Sequence, residues 1–159
     1  MFIMLYFDLN NKTKFKISLR LIEKINAIFL KAAALRGDQE YSLAFVGETK
    51  MKSINNFFRG KDKVTDVLSF EEKGEDFISG GNSRNNLGEI IICPSRAASQ
   101  AKKYGWSFDK EMTRLFIHGL SHLIGYDHEN VSQKKANEMI DFEARVMEAI
   151  RRGSRLSKK

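Results

Sequence analysis

All three histidines of this 159-residue chain lie within the eleven residues from His118 to His128. His118 and His122 are four positions apart, so a helix through this segment places both imidazoles on one face, one turn apart. Gly125 follows, and glycine can adopt the left-handed conformation that ends a helix and reverses the chain. The segment therefore predicts a helix that stops at Gly125 and a short loop that returns His128 to the first two rings.

Three neutral imidazoles at this spacing predict a Zn²⁺ site whose fourth ligand position is left to water. A structural zinc site normally has four protein ligands, often thiolates, whereas the single cysteine, Cys93, lies 25 residues before His118 in a predicted strand. An open catalytic site is therefore favoured, in which the metal lowers the pKa of water toward about 7. Asp127 has two open roles, as an acceptor for the N–H of a ligand imidazole or as a capping or surface carboxylate.

The same histidine spacing occurs in the metzincin metalloproteases, which need a glutamate directly after the first histidine as general base. Here that position is Gly119, and glycine cannot accept a proton. Peptide hydrolysis by that mechanism is therefore disfavoured, although a metalloprotease stays an alternative. The site must use another base or none.

Hydrophobic periodicity predicts strands and helices that alternate through most of the chain. Neither a repeat nor a linker divides it, so we assign residues 1–150 to one metal-dependent hydrolase domain and residues 151–159 to a basic C-terminal tail. The predicted class is α/β, or mixed α+β, with one small sheet. The composition of residues 71–86 predicts a long loop. The predicted strands are residues 1–8, 41–46, 67–70 and 87–93. The predicted helices are residues 17–32, 49–58, 95–104, 108–124 and 132–151.

The net charge of +7 indicates a polyanionic partner, and this charge is unevenly distributed along the chain. The last nine residues carry +5 and residues 50–63 carry +4, so the remainder carries −2. No run reaches the ~18 apolar residues of a membrane helix, and the N-terminus has the pattern of a strand rather than of a signal peptide. A single cysteine fits a reducing compartment. We therefore expect a cytoplasmic protein without a membrane partner.

Residues 118–128, HGLSHLIGYDH, closely resemble the HGxxHLxGYDH signature of the YbeY family, bacterial zinc-dependent endoribonucleases of ribosomal RNA maturation. Residues 56–70, NFFRGKDKVTDVLSF, are similar to the segment of that family with asparagine, an aromatic residue, arginine, glycine and TDVLSF. Residues 87–90, LGEI, are similar to a third block. The blocks occur in the family's order, so the resemblance covers most of the chain.

Four positions depart from the family pattern, and none of them is a metal-ligand position. Val64 and Glu71 stand where the family often has proline, and Glu89 stands where it often has aspartate. Ser121 replaces a residue that is commonly apolar. These departures concern loop conformation and local packing rather than the metal.

The resemblance implies that His118, His122 and His128 bind one zinc ion and that Arg59 is the functional arginine beside it. It implies a small mixed sheet packed by several helices. It also implies cleavage of single-stranded RNA, with 3′-end maturation of 16S ribosomal RNA and ribosome quality control as the process. Precursor ribosomal RNA and the small ribosomal subunit are then the expected partners. The non-enzymatic alternative is a ribosome-assembly factor that zinc stabilises.

Cleavage of a phosphodiester needs a nucleophile, here water or the RNA 2′-hydroxyl, and stabilisation of the negative charge that develops. Arg59 can hold a phosphate oxygen with a permanently charged, bidentate group. Lys61 and Lys63, from the same basic segment, are candidates to hold the RNA backbone. Phe57 and Phe58 precede Arg59, and one of them can stack on an unpaired base. For at least one of the two, packing of its helix against the core is the favoured expectation.

Overall fold

The computed structural model describes residues 3–73 and 84–156. These residues form one four-stranded sheet and five helices, which confirms the mixed α/β class. The strands are β1 (Leu5–Asn11), β2 (Gln39–Phe45), β3 (Val67–Glu71) and β4 (Asn85–Ile92). The helices are α1 (Leu19–Ala32), α2 (Glu48–Arg59), α3 (Pro94–Tyr104), α4 (Phe108–Leu123) and α5 (Gln133–Leu156).

The sheet is mixed, with the strand order β1-β2-β4-β3. β1 pairs with β2 and β2 with β4 in parallel, whereas β3 pairs with β4 in the antiparallel sense. Two parallel neighbours need a crossover connection, and α1 supplies it between β1 and β2. Among the described strands, β3 lies at the edge of the sheet and has one neighbour, β4.

A bulge in β4 interrupts the ladder with β2. Glu40 pairs with Asn86 and Ser42 pairs with Glu89, so β4 has one more residue than β2 between these pairs. Gly88 lies in this extra stretch with a φ of +125°. A Cβ at Gly88 would lie 2.0 Å from the carbonyl oxygen of Phe70 on β3. Only glycine fits there, which explains the glycine of the LGEI segment.

The core lies on both faces of the sheet because alternate residues of β4 point in opposite directions. Ile90 and Ile92 join the larger buried cluster, which includes residues of α1, α4 and α5. Ile91 joins a smaller cluster that includes Met51 of α2. The helix that carries two of the histidines thus packs with the larger core, and α2 packs with the smaller one.

Helix α4 lies so close to β4 that its residue at the point of contact is a glycine, Gly119. A Cβ at Gly119 would lie 2.8 Å from Cγ2 of Ile90 and 3.1 Å from its Cδ1. Ile90 is fully buried and β-branched, so its side chain has little freedom to move away. Gly119 therefore sets the distance between the helix and the sheet.

All nine predicted elements are present among the described residues, with shifted ends. The first strand begins at Leu5 rather than at residue 1, and residues 1–2 lie outside the described part. Helix α5 continues to Leu156, into the segment that we assign to a basic tail, of which residues 157–159 lie outside the described part. The long loop predicted at 71–86 falls between β3 and β4, and its residues 74–83 are likewise not described. The domain and tail boundaries stay a prediction.

The two phenylalanines before Arg59 differ in their packing. The buried residues of α2 are Met51 and Asn55, one turn apart, and Phe58 continues this stripe at the end of the helix. Phe58 is 59% exposed, and its ring lies 4.9 Å from that of Phe70, which packs against the smaller core. Phe57 lies outside the stripe and is 81% exposed, so the expected packing is partial and limited to Phe58. Cys93 is fully buried. No helix among the described residues is long and apolar enough to span a membrane.

The close approach of α4 to β4 yields a first prediction. We expect Gly119→Ala to destabilise the protein by up to about 2 kcal/mol, because overpacking costs about 1–3 kcal/mol against a gain of about 1 kcal/mol from replacing a helical glycine. Urea unfolding measures the change. The matched control is Gly153→Ala in α5, where the nearest side-chain atom is Cε of the flexible Lys24 at 3.5 Å. We expect this control to be neutral or slightly stabilising.

The same substitution in an Ile90→Ala protein tests whether contact with Ile90 causes the loss of stability. In an Ile90→Ala protein the contacting atoms are absent, so Gly119→Ala should no longer destabilise relative to that background. Equal stability of the Gly119→Ala and Gly153→Ala proteins in the wild-type background would contradict this account of the contact.

Candidate metal centre and substrate groove

Helix α4 leaves one narrow stripe accessible. Its N-terminus is capped by Ser107, whose hydroxyl accepts the N–H of Lys110 at 3.1 Å. From Glu111 to Leu123 every residue is buried except Arg114, His118 and His122. These positions are each four residues apart and therefore form a single line along the helix. The apolar residues of α4 thus leave the two histidines on its only accessible face.

The turn after α4 returns the chain to the same face. Gly125 has a φ of +95°, a conformation that glycine adopts without strain. The N–H of Tyr126 donates to the carbonyl oxygen of Ser121 at 3.0 Å, and the Tyr126 ring stacks on Phe142 of α5 with centroids 4.8 Å apart. This anchored turn places the His128 ring 5.2 Å from the His118 ring and 5.1 Å from the His122 ring.

Asp127 stabilises the loop backbone. One oxygen of its carboxylate accepts the N–H groups of His128 and Glu129, at 2.7 and 2.9 Å. These hydrogen bonds, that of Glu129 first, lower the pKa of Asp127. The contacts correspond to the capping role, and a role as acceptor for a ligand imidazole stays a prediction.

The three histidines have the geometry of a metal site. One ring nitrogen from each can be chosen so that the three nitrogens lie within 4.8 Å of one another. The Nε2 atoms of His118 and His122 are 3.2 Å apart. Bonds of about 2.0–2.1 Å at a tetrahedral angle place two zinc-bound nitrogens about 3.3 Å apart. The separation of this pair therefore fits a bound ion.

Burial favours the ligand form of His122. Desolvation, followed by repulsion from protonated His118 and His128, lowers the pKa of His122. The imidazole therefore resists protonation, and the neutral ring is the form that binds a metal ion.

Glu143 orients the first ring, and the sequence analysis did not identify it. Its carboxylate Oε1 lies 2.8 Å from Nδ1 of His118. We assign Nδ1–H as the donor because the carboxylate accepts, so Nε2 of His118 is left to bind a metal. Glu143 belongs to α5, 25 residues from His118, and no local motif connects them. Only the packing of α5 beside α4 brings them together.

A network of charged groups connects α4 to the start of β3. Arg114 donates to both carboxylate oxygens of the fully buried Glu111, at 3.1 and 2.6 Å. The same guanidinium lies 3.7 Å from Oδ2 of Asp66, which also accepts the Nε2–H of Gln100 at 3.0 Å. The N–H of Val67 donates to Oδ1 of Asp66 at 2.8 Å, which extends the network into β3. It therefore ties the edge strand to the histidine helix.

A groove of about 1020 Å³ opens between the histidine loop and the edge of the sheet. His118, His122 and His128 line it together with Arg59, Lys61 and Lys63. The last three are the residues predicted to contact RNA, and they approach from the end of α2 and the following loop. The structure thus brings all the predicted metal and RNA residues to one surface.

Two contacts hold the basic residues at the groove. Nη2 of Arg59 donates to the carbonyl oxygen of Ser69 on β3 at 3.0 Å, and its guanidinium lies 5.5 Å from the centre of the Phe70 ring. The buried Asn55 donates its side-chain N–H to the carbonyl oxygen of Lys63 at 2.8 Å. Arg59 is therefore anchored to the edge strand, and the loop with Lys61 and Lys63 is anchored to α2.

These features define the class of the protein as a mixed α/β protein with a cluster of three histidines that could hold a metal ion, in a groove with basic residues. Comparisons with known proteins identify the family. A profile described as Endoribonuclease YbeY matches residues 8–151. The chain therefore belongs to the YbeY family of endoribonucleases.

Individual relatives agree. Endoribonuclease YbeY of Macrococcus caseolyticus is 43% identical over 117 residues, which cover 71% of this chain and 76% of the relative. That of Staphylococcus carnosus is 42% identical over 115 residues, which cover 72% of this chain and 75% of the relative. The solution structure of TM1509 from Thermotoga maritima superposes with a TM-score of 0.65 at 32% identity, over 97% of this chain and 93% of that one. The resemblance predicted from the motifs is confirmed.

The contact between Glu143 and His118 yields a second prediction. We expect Glu143→Ala to weaken metal binding about 10- to 100-fold, because the carboxylate fixes the tautomer and orientation of a ligand ring. Glu143→Gln should lie between this variant and wild type, since the amide oxygen still accepts the Nδ1–H. Competition with a chromogenic chelator measures the affinity. Glu138→Gln, an exposed position on the same helix, is the matched control and should bind like wild type.

Proposed function

We propose that this YbeY-family endoribonuclease is zinc-dependent and cleaves single-stranded regions of precursor ribosomal RNA. The process is the 3′-end maturation of 16S ribosomal RNA together with quality control of the small ribosomal subunit. The observation that carries the proposal is that Arg59, Lys61 and Lys63 line the same groove as the three histidines. A metal centre and fixed positive charge in one groove suit a phosphodiester substrate.

His118, His122 and His128 would hold the ion, and three nitrogen donors are a set that zinc accepts in catalytic sites. When bound, zinc supplies a Lewis acid that neutralises charge on a phosphate oxygen and lowers the pKa of water. Glu143 accepts a hydrogen bond from Nδ1–H of His118, which would leave the Nε2 lone pair free to bind the ion.

Arg59 would bind a non-bridging phosphate oxygen. Its guanidinium has five N–H donors, and the bond to the Ser69 carbonyl holds it at the groove without using all of them. The charge is permanent, so it can stabilise the negative charge that develops on the phosphate during cleavage. The attacking group is water or the RNA 2′-hydroxyl.

The position of Gly119 argues against the metalloprotease alternative. The residue after the first histidine faces Ile90 and the sheet rather than the groove. A glutamate there would have to displace a buried, β-branched side chain. The general base of the metzincin mechanism therefore has no place in this fold.

The metal and the activity can be tested together. We expect wild-type protein to contain one zinc ion and to cleave a fragment of precursor ribosomal RNA, and His122→Ala to lose both. Elemental analysis and gel assays of labelled RNA give the two readouts, with circular dichroism to show that the variant is folded. RNA binding without metal-dependent cleavage would favour the assembly-factor alternative, and zinc-dependent release of peptides from casein would favour the protease.

We expect substitutions of Arg59 and Lys61 to affect different steps, catalysis for Arg59 and RNA binding for Lys61. We expect Arg59→Ala to lower kcat/KM about 10²- to 10³-fold at unchanged zinc content, because it removes donors to the developing charge. Lys61→Ala should instead weaken binding and reduce the slope of log Kd against log salt by about 1, the effect of one lost phosphate contact. Single-turnover cleavage and salt-titrated binding measure these effects. Equal effects of the two variants in both assays would refute the distinction.

A further inference from the structure

We propose that Phe57 and Phe58 form a stacking platform for unpaired bases of the RNA strand that lies in the groove. The inference rests on the proposed function, since it assigns to that substrate a second contact besides its phosphates. The platform means these two rings only. It lies at the C-terminal end of α2, directly before Arg59.

Both rings are largely exposed, although Phe58 also contacts Phe70 of β3. Phe57 is 81% exposed and Phe58 is 59% exposed, and these are the highest values for large apolar side chains among the described residues. Single exposed apolar residues are common on protein surfaces, but two adjacent aromatic rings form a continuous apolar patch. Such a patch marks a surface that binds a partner.

The platform is continuous with the groove. The Phe57 and Phe58 rings meet edge to face with centroids 4.8 Å apart, and the Phe58 ring lies 4.9 Å from that of Phe70. Phe58 and Phe70 line the groove, and Arg59 lies over Phe70 at 5.5 Å. A strand with one phosphate at Arg59 therefore passes beside Phe58 and then Phe57 as it leaves the groove.

The surrounding charge selects RNA as the occupant. Residues 50–63 carry a net charge of +4, and Arg59, Lys61 and Lys63 lie within this segment. The centres of protein–protein interfaces are depleted in lysine. Sites for single-stranded nucleic acid combine aromatic faces with a positively charged track for the backbone. The platform has this combination, and the faces of its rings suit any base.

The experiment separates contacts to bases from contacts to phosphates. A short single-stranded RNA and an abasic oligonucleotide of equal length are titrated with the protein, and anisotropy gives both Kd values while gels show that the probes stay intact. We expect Phe57→Leu and Phe58→Leu each to weaken binding of the RNA about 5- to 100-fold, as loss of one stacked base does, and to leave binding of the abasic strand unchanged. Arg59→Ala should weaken binding of both.

Two further variants sharpen the result. Phe57→Tyr keeps the aromatic face and should bind RNA like wild type. Tyr104→Leu is the matched control, because Tyr104 is 54% exposed and forms an aromatic pair with Trp106 outside the groove. It should change neither Kd. With 2-aminopurine in the RNA, quenching on binding should be smaller in the Phe57→Leu protein than in the Phe57→Tyr protein.

The outcomes distinguish this inference from the proposed function. If the wild-type protein cleaves RNA but the Phe57→Leu and Phe58→Leu proteins bind it like wild type, the platform is wrong and the proposed function stands. The platform is also wrong if these variants lose association with ribosomal subunits while RNA binding is unchanged, since the rings then contact protein. If wild type does not cleave RNA but the two leucine variants show the expected loss, the platform stands and the activity fails.

Discussion

The packing of α4 against β4 is the constraint on which the site depends. Gly119 lets the helix approach Ile90 without an intervening side chain. From Glu111 to Leu123 the helix is then buried except for the line through Arg114, His118 and His122. A helix covered on all other sides has no freedom to rotate, so the two imidazoles can face only the groove. The metal centre is in this sense a consequence of core packing.

Elements distant in sequence complete that centre, each through one specific contact. Glu143 of α5 fixes the His118 ring, and Arg59 at the end of α2 is anchored to the carbonyl oxygen of Ser69 on the edge strand. Arg114 connects α4 to Asp66 at the start of that strand. β3 can receive these contacts because it has a single neighbouring strand. Its position at the sheet edge therefore sets the width of the groove between the histidines and the basic residues.

Short sequence patterns were sufficient to predict the features that depend on interactions between neighbouring residues. The i, i+4 spacing of the histidines predicted a helix, and Gly125 predicted where it ends. Both depend on a few neighbouring residues, through helix geometry and the left-handed conformation that glycine can adopt. Periodicity did not predict how exposed the end of α2 is, because Phe58 continues the stripe of Met51 and Asn55 and is still 59% exposed beside the groove. Apolar character predicts burial on average, and here two exposed rings at the groove reverse that expectation.

The sequence alone thus determined the fold class, the cluster of three histidines and the family, because each depends on residue type and short spacing. The tertiary structure alone decided that Glu143 orients His118, that Gly119 faces the sheet, and that Arg59, Lys61 and Lys63 share a groove with the histidines. These are contacts between side chains on different elements. They follow from how α2, α4 and α5 pack around the sheet, which no short segment of the chain encodes.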